Sequence, residues 1–294
     1  MRALGIDLGG TNLRYLCLDH TRRIVARGTI PARLGARARE DPQAAPSLVV
    51  EAVRAALRAV DSVDALGVAI AGFVREGVVV ASPNIPGLVG WDAARALEEA
   101  TGIPVRVHND ASLAALGEAV GGGWDAPLVH LTLGTGIGAG FYDGQRPWLG
   151  AHGTAMEIGH WKLARTRRRC GCGGRGCLET VASATGVVRS YGRPRLDAAA
   201  VARLADAGDA KAVRAFAQAG EALGRAAAML ALALDPAVIT FGGGMSAAWR
   251  WLRAPLEDAF RAGVPDALHG QTRVARARTG AEAGALGAAL FALG

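Results

Sequence analysis

Lysine is almost missing from this 294-residue chain. Only Lys162 and Lys211 occur, and arginine supplies nearly all the base behind a formal net charge of +7. The charge is spread along the sequence, so no basic tail or domain for nucleic acid is expected. The one cluster is Arg165, Arg167, Arg168 and Arg169, which reads as a solvated loop rather than a phosphate or nucleic-acid patch. Also missing is an apolar run near the roughly 18 residues of a membrane span. The start, Met1-Arg2-Ala3-Leu4-Gly5-Ile6-Asp7, enters a strand-like stretch bearing an acid, unlike a secretory signal. No repeat of 20–50 residues is apparent. No Gly-x-x-x-x-Gly-Lys-Ser/Thr occurs, which excludes a P-loop enzyme. Four cysteines are too few for a disulfide scaffold of this size. The expectation is a cytoplasmic protein with reduced thiols.

What is present is an apolar fraction of 51%, which is globular and argues against disorder. The length suffices for a large core in two lobes. Strands are expected over 3–8, 13–18, 24–30, 63–70, 104–107, 128–133, 139–142, 237–241 and 273–277. Helices are expected over 47–60, 91–100, 111–120, 197–207, 210–234, from about 246, and over 281–292. The Pro-, Ala- and Arg-rich stretch 31–46 reads as an exposed loop. Gly121-Gly122-Gly123 is the expected lobe boundary. Strands alternating with helices give an α/β class. The lobes are expected at 1–120, completed by a helix at 281–294, and at 121–280.

The densest chemistry lies between Glu157 and Thr180. Cys170, Cys172 and Cys177 fall within eight positions, and His160 stands ten residues before the first. Thiolates and an imidazole suit zinc, and a Cys3His set closes a tetrahedral structural site. The glycines around them let the backbone turn about one ion. The competing reading is a disulfide plus a spare thiol, or small apolar filling. Cys170 and Cys172 are too close for an easy disulfide, so zinc is favoured. Cys17 sits in an apolar strand and reads as core.

Three glycine turns each follow an apolar strand. They are Asp7-Leu8-Gly9-Gly10-Thr11-Asn12, Gly134-Thr135-Gly136-Ile137-Gly138 and Gly242-Gly243-Gly244. Glycine lets backbone N–H groups approach phosphate, Thr11 and Thr135 add hydroxyls, and Asp7 is placed to hold Mg²⁺ or its waters. Together they point to nucleotide binding. The second turn runs on into a strand, which excludes a dinucleotide fingerprint. Asp110 closes a strand at a helix start. It reads either as an N-cap or as the carboxylate that deprotonates an acceptor hydroxyl in phosphoryl transfer. Asn109 adds a second polar group at that strand end.

The segments GIDLGGTN, HND, LGTGIGAG, and EIGH followed by CGCGGRGCLET resemble the ROK family of sugar kinases and repressors, over nearly the whole chain. The resemblance implies an actin-like ATPase (ribonuclease H-like) fold whose two lobes close on a hexose and ATP in the cleft between them. It implies Asp110 as general base toward the sugar 6-hydroxyl. Gly72, Asn84, Asn109, Glu157, His160 and Glu179 would face the sugar. His160, Cys170, Cys172 and Cys177 would hold Zn²⁺, with ATP and Mg²⁺ as cofactors and a homodimer or homotetramer as the assembly. The chain departs from the family in Ala71-Gly72, where Pro-Gly is common, and in Glu282-Ala283-Gly284, where Asp-Ala-Gly is common. A repressor of the family carries a helix-turn-helix ahead of the first glycine turn. Here that turn begins at residue 5, so a kinase is expected, glucose being the expected sugar and an N-acetylated or other hexose the alternative. A dead sugar-binding module is disfavoured because Asp7, Thr11 and Asp110 are all present.

Overall fold

The structure is a computed structural model that describes residues 1–164 and 166–294. Its strands are β1 (Ala3–Leu8), β2 (Leu13–Leu18), β3 (Ile24–Ile30), β4 (Ala65–Ile70), β5 (Phe73–Arg75), β6 (Val78–Ala81), β7 (Val105–Asn109), β8 (Leu128–Leu133), β9 (Ile137–Tyr142), β10 (Val238–Gly242) and β11 (Arg273–Arg276). Its helices are α1 (Leu34–Glu40), α2 (Ala45–Leu57), α3 (Ala93–Thr101), α4 (Asp110–Gly121), α5 (Glu179–Ala182), α6 (Ala184–Tyr191), α7 (Ala198–Asp206), α8 (Ala210–Leu234), α9 (Trp249–Gly263) and α10 (Ala283–Ala292). Among the described residues, no helix is long and apolar enough to cross a membrane.

Two compact units form. The first comprises residues 1–123, 140–155 and 282–294. Its five-stranded sheet has the order β3-β2-β1-β4-β7, antiparallel at β3-β2-β1 and parallel from β1 through β4 to β7. β4 is buried at every residue, as expected for a parallel strand covered on both faces. α10 is apolar nearly all round and buried from Ala283 to Leu290, the pattern of a core helix. It seats closely because glycines meet it. A Cβ on Gly5 or Gly67 would collide with carbonyls of α10, and one on Gly287 with Leu113 O of α4.

The second unit comprises residues 124–139 and 156–281. Its sheet has the order β11-β10-β8-β9, and β8, β10 and β11 run parallel. α8 and α9 pack on each other, and Gly220 and Gly224 admit the backbone of α9.

Several expectations change. The stretch 31–46 is not a loop. Leu34 and Ala38, four apart, bury one face of α1, and a short helical turn at Pro42–Ala44 is capped by Asp41. Two buried apolar residues are too weak a period to stand out among arginines. The helix expected from 246 begins at Trp249, after a 3-10 turn over Gly244–Ala248. α5 and α6 were not anticipated, because Ser183 caps α6 one residue after α5 ends. Arg165 lies outside the described residues. Of the other three arginines expected on a solvated loop, Arg168 is half-buried, and its guanidinium donates to Thr180 O (3.3 Å) and Ser190 Oγ (3.1 Å). It ties the loop down instead of facing water.

Candidate functional site

The candidate residues fall into two groups, one in each unit, and each group has its own geometry. In the first unit, β1 delivers Asp7 to the turn Gly9–Asn12. The turn closes by Gly9 N–H donating to Asn12 O (3.0 Å). It is braced by Gly35 N–H on Gly10 O (2.7 Å) and Arg33 N–H on Thr11 O (2.8 Å). Thr11 is exposed. The Asn84 side chain is exposed, and its backbone lies over Gly10 and Gly35. Asp7 has Arg14 at 3.8 Å. Even so its carboxyl is pushed up to about 7, first by burial and then by the charge of Asp110, with Arg14 opposing. A carboxylate in this state is ready to be relieved by a cation.

Asp110 stands at the end of β7, where parallel strands of α/β folds gather ligands. It is not the helix cap. Asn109 is, its Oδ1 accepting from Ser112 N–H at 2.9 Å. Asp110 is instead the first residue of α4, and its Oδ1 accepts from Ala111 N–H (2.9 Å) and Asn109 Nδ2 (3.2 Å). Burial pushes its carboxyl above the ordinary range, against the pull of the backbone N–H groups of Ala111 and of Asp110 itself. Gly72 enters the same cluster through its carbonyl, which accepts from Asn109 Nδ2 at 2.8 Å. His108 carries a role the sequence did not reveal. Its buried Nδ1 accepts from Asn109 N–H at 2.7 Å, and burial lowers its pKa to about 4.

In the second unit, two glycine turns sit side by side. β8 and β10 are parallel neighbours with Thr132 opposite Gly242, so Gly134–Gly136 and Gly242–Gly244 leave the same sheet edge. Gly243, at φ 79°, lies against Leu133, where a Cβ would clash. Thr135 is exposed at the first of the two turns. A Cβ on Gly136 would stand 2.7 Å from Glu179 Oε2, so the carboxylate of α5 overhangs that turn.

The cysteine cluster adjoins it. One ligand atom from each of His160, Cys170, Cys172 and Cys177 lies within 4.8 Å of all the others, the spread expected around one tetrahedral ion. All the cysteines are free thiols. His160 divides its ring. Nδ1 faces Cys170 Sγ (3.5 Å) and Glu179 Oε1 (3.8 Å), while Nε2 faces Glu157 Oε2 (3.9 Å). Cys170 Sγ also donates to Glu179 Oε1 at 2.8 Å, and burial, then this bond, pushes its thiol up. Cys172 is shifted down, first by the Gly174 N–H. Lys162 was missed by the sequence reading. Its ammonium donates to Cys177 Sγ at 2.7 Å, and as one of only two lysines it was conspicuous. The donor set fits zinc: three sulfurs and one imidazole converge, with a cation beside them to offset thiolate charge.

The family model that matches the chain is that of the ROK family, over residues 3–294. This chain belongs to the ROK family. Glucokinase of Halalkalibacterium halodurans is 33% identical over 88% of this chain and 85% of its own length. N-acetylmannosamine kinase of Citrobacter koseri is 31% identical over 100% and 99%. Among solved structures, a ROK family glucokinase from Streptomyces griseus, in complex with glucose and AMPPNP, superposes with a TM-score of 0.83 at 29% identity. That match covers 100% of this chain and 99% of that one. The fold of this ROK chain is therefore the actin-like ATPase fold.

Proposed function

We propose that this ROK chain is an ATP-dependent hexose kinase that phosphorylates the 6-hydroxyl of glucose. The observation that carries the reading is Asp110, a carboxylate at a strand end with one oxygen gripped by two N–H groups and its proton affinity raised by burial. In the proposed step the sugar O6–H gives its proton to Asp110. O6 bonds to the γ-phosphorus, the bond from that phosphorus to the β,γ-bridging oxygen breaks, and ADP leaves with that electron pair. The glycine turns at 9–12, 134–136 and 242–244 would supply N–H groups to the phosphates. Asp7 would hold Mg²⁺ or its waters, and the ion would neutralise phosphate charge. Asn84, Glu157, His160 Nε2 and Glu179 would take sugar hydroxyls. We further propose that the protein works in the cytoplasm, as a homo-oligomer.

Zinc would be held by His160 Nδ1 and the three thiolates, and would serve as a structural clamp. Ligation through Nδ1 would fix the His160 ring, and Glu157 and Glu179 lie against that ring. One zinc per chain is expected on elemental analysis of protein purified without added metal, and zinc-free protein that is folded and active would sink the assignment. Cys172→Ser should lose the metal, lower the melting temperature and weaken glucose binding together, since site formation and folding are linked.

Glucose is favoured because Glu157 and Glu179 offer two acceptors for neighbouring ring hydroxyls, whereas an N-acetyl group needs room and an amide partner. A site built to bond a hydroxyl rejects an analogue lacking it, because its own polar groups go unpaired. The second reading, an N-acetylmannosamine kinase, has the full-length likeness to the Citrobacter koseri enzyme in its favour. A coupled ADP-release assay over a hexose panel decides between them. Glucose should show the highest kcat/KM, with 2-deoxyglucose and N-acetylated sugars below it. Faster turnover of N-acetylmannosamine or N-acetylglucosamine would give the site to the hexosamine.

A further inference from the structure

Lys162 meets the cysteine cluster because the backbone puts it there. Trp161 O accepts from Leu178 N–H at 2.8 Å, and Ala164 N–H donates to Gly176 O at 3.1 Å. These two bonds lay residues 161–164 along residues 176–178, so Lys162 comes beside Cys177. Its ammonium donates to Cys177 Sγ at 2.7 Å. Gly174 leaves the room: a Cβ there would stand 2.5 Å from Lys162 Nζ and 3.3 Å from Cys172 Sγ. Cys172 Sγ is in turn 3.7 Å from Cys177 Sγ. The ammonium thus fills a gap bordered by two candidate ligand sulfurs. The charges on the other side of the cluster are negative. Glu179 Oε1 lies 2.8 Å from Cys170 Sγ and 3.8 Å from His160 Nδ1, and Glu157 Oε2 lies 3.9 Å from His160 Nε2. The guanidiniums of Arg168 and Arg175 are engaged elsewhere, on Thr180 O, Ser190 Oγ and Arg167 O. Among the described residues, Lys162 is the only lysine or arginine hydrogen-bonded to one of the three sulfurs.

Three thiolates and a neutral imidazole around Zn²⁺ leave a net negative charge on the filled site. Zinc binding turns thiols into thiolates, so it adds negative charge where two carboxylates already stand. We propose that Lys162 secures the zinc: its ammonium, held on Cys177 Sγ, offsets the charge of the filled site and so raises the affinity for the metal. This deepens the reading of His160, Cys170, Cys172 and Cys177 as zinc ligands and rests on it. A partner of this kind orients a ligand and tunes its electron density without touching the metal. Lysine suits the place better than the arginine that this chain prefers almost everywhere else. Lys162 and Lys211 are its only lysines. A compact ammonium fits the gap over Gly174, whereas a planar guanidinium is broader.

The test uses two variants of the full chain. Lys162→Met keeps the stem and removes the charge, and Lys162→Arg keeps the charge. Zinc affinity is measured at neutral pH by competition with chromophoric chelators. Cobalt-loaded samples give the thiolate-to-Co²⁺ charge-transfer band. Lys162 is exposed, so water screens part of the interaction, and Lys162→Met should bind zinc about 10-fold more weakly than wild type. Its band should move to longer wavelength, because a sulfur without the ammonium gives up an electron more readily. Lys162→Arg should fall between the two in both measurements. Saturated with zinc, all three proteins should melt close together. Lys162→Met with an affinity equal to or above wild type overturns the proposal, wherever the band lies. Weaker binding with an unmoved band means that the loop was loosened and not that a sulfur was uncovered, and this overturns it too. Wild-type protein that takes up no zinc overturns the ligand reading together with this one. Zinc held equally by wild type and Lys162→Met overturns this one alone.

Discussion

Asp110→Asn is expected to lower kcat for glucose by about 10²–10⁴-fold, the usual worth of a positioned acid–base group, while calorimetric glucose affinity changes far less. The substitution is nearly isosteric, and the amide oxygen can still accept from Ala111 N–H. The cap of α4 is untouched, because it belongs to Asn109. A structural role for Asp110 therefore predicts almost no effect, and a catalytic role predicts a large one. Joint loss of binding and folding would count against the base. The pH profile gives a second handle. Burial pushes the Asp110 carboxyl up, and a base works only when ionised. The rate should be full above that raised pKa and lost as pH falls through it, so the acid limb should lie above the ordinary carboxylate range of about 4. A limb at or below that range would mean that Asp110 is not the group being titrated.

Much of this was legible because the informative residues are close together in sequence. The candidate ligands His160, Cys170, Cys172 and Cys177 are local in sequence, so spacing alone brought them into view, and in the structure one donor atom from each converges. The strands feeding the glycine turns were legible too, since β1, β8 and β10 are short, mainly apolar stretches with a glycine at their last position or just after it. What escaped was set by contacts distant in sequence or by one-residue offsets. Asp110 and Asn109 are both good caps, and composition cannot say which one turns its side chain toward Ser112 N–H. The adjacency of the Gly134 and Gly242 turns depends on β8 pairing with β10 across more than a hundred residues. α1 was hidden because a seven-residue helix with one apolar face carries too short a period among arginines. Lys162 stood out as one of only two lysines, but a single lysine two residues past a histidine carries no motif that names Cys177 as its partner.

Asp7→Asn should stabilise the nucleotide-free protein at pH 8 while abolishing most of its turnover. In the folded chain burial and the nearby charge of Asp110 raise Asp7 from 3.8 to about 7, and Arg14 only partly offsets them. A folded-state pKa above the unfolded value means that the native state holds this proton more tightly. The stability linked to it is full below about pH 4 and is lost as pH rises toward 7. At pH 8 the ionised carboxylate then costs the fold on the order of a few kcal/mol, which Asn does not. His108 acts in the opposite sense. Burial lowers it from 6.5 to about 4, so its contribution is present above 6.5 and lost as pH falls through that interval. The two overlap in the wild-type profile, but His108 is common to both proteins and cancels in the difference between them. Melting curves without Mg²⁺ or nucleotide should place the variant about 5 °C above wild type at pH 8, converging near pH 4. A variant that melts below wild type at pH 8 would show that the Arg14 pairing outweighs burial. If it instead melts higher and keeps its turnover, Asp7 has no part in the reaction. The expected pairing of gained stability with lost activity is the signature of a charge held in place for a cation and phosphate.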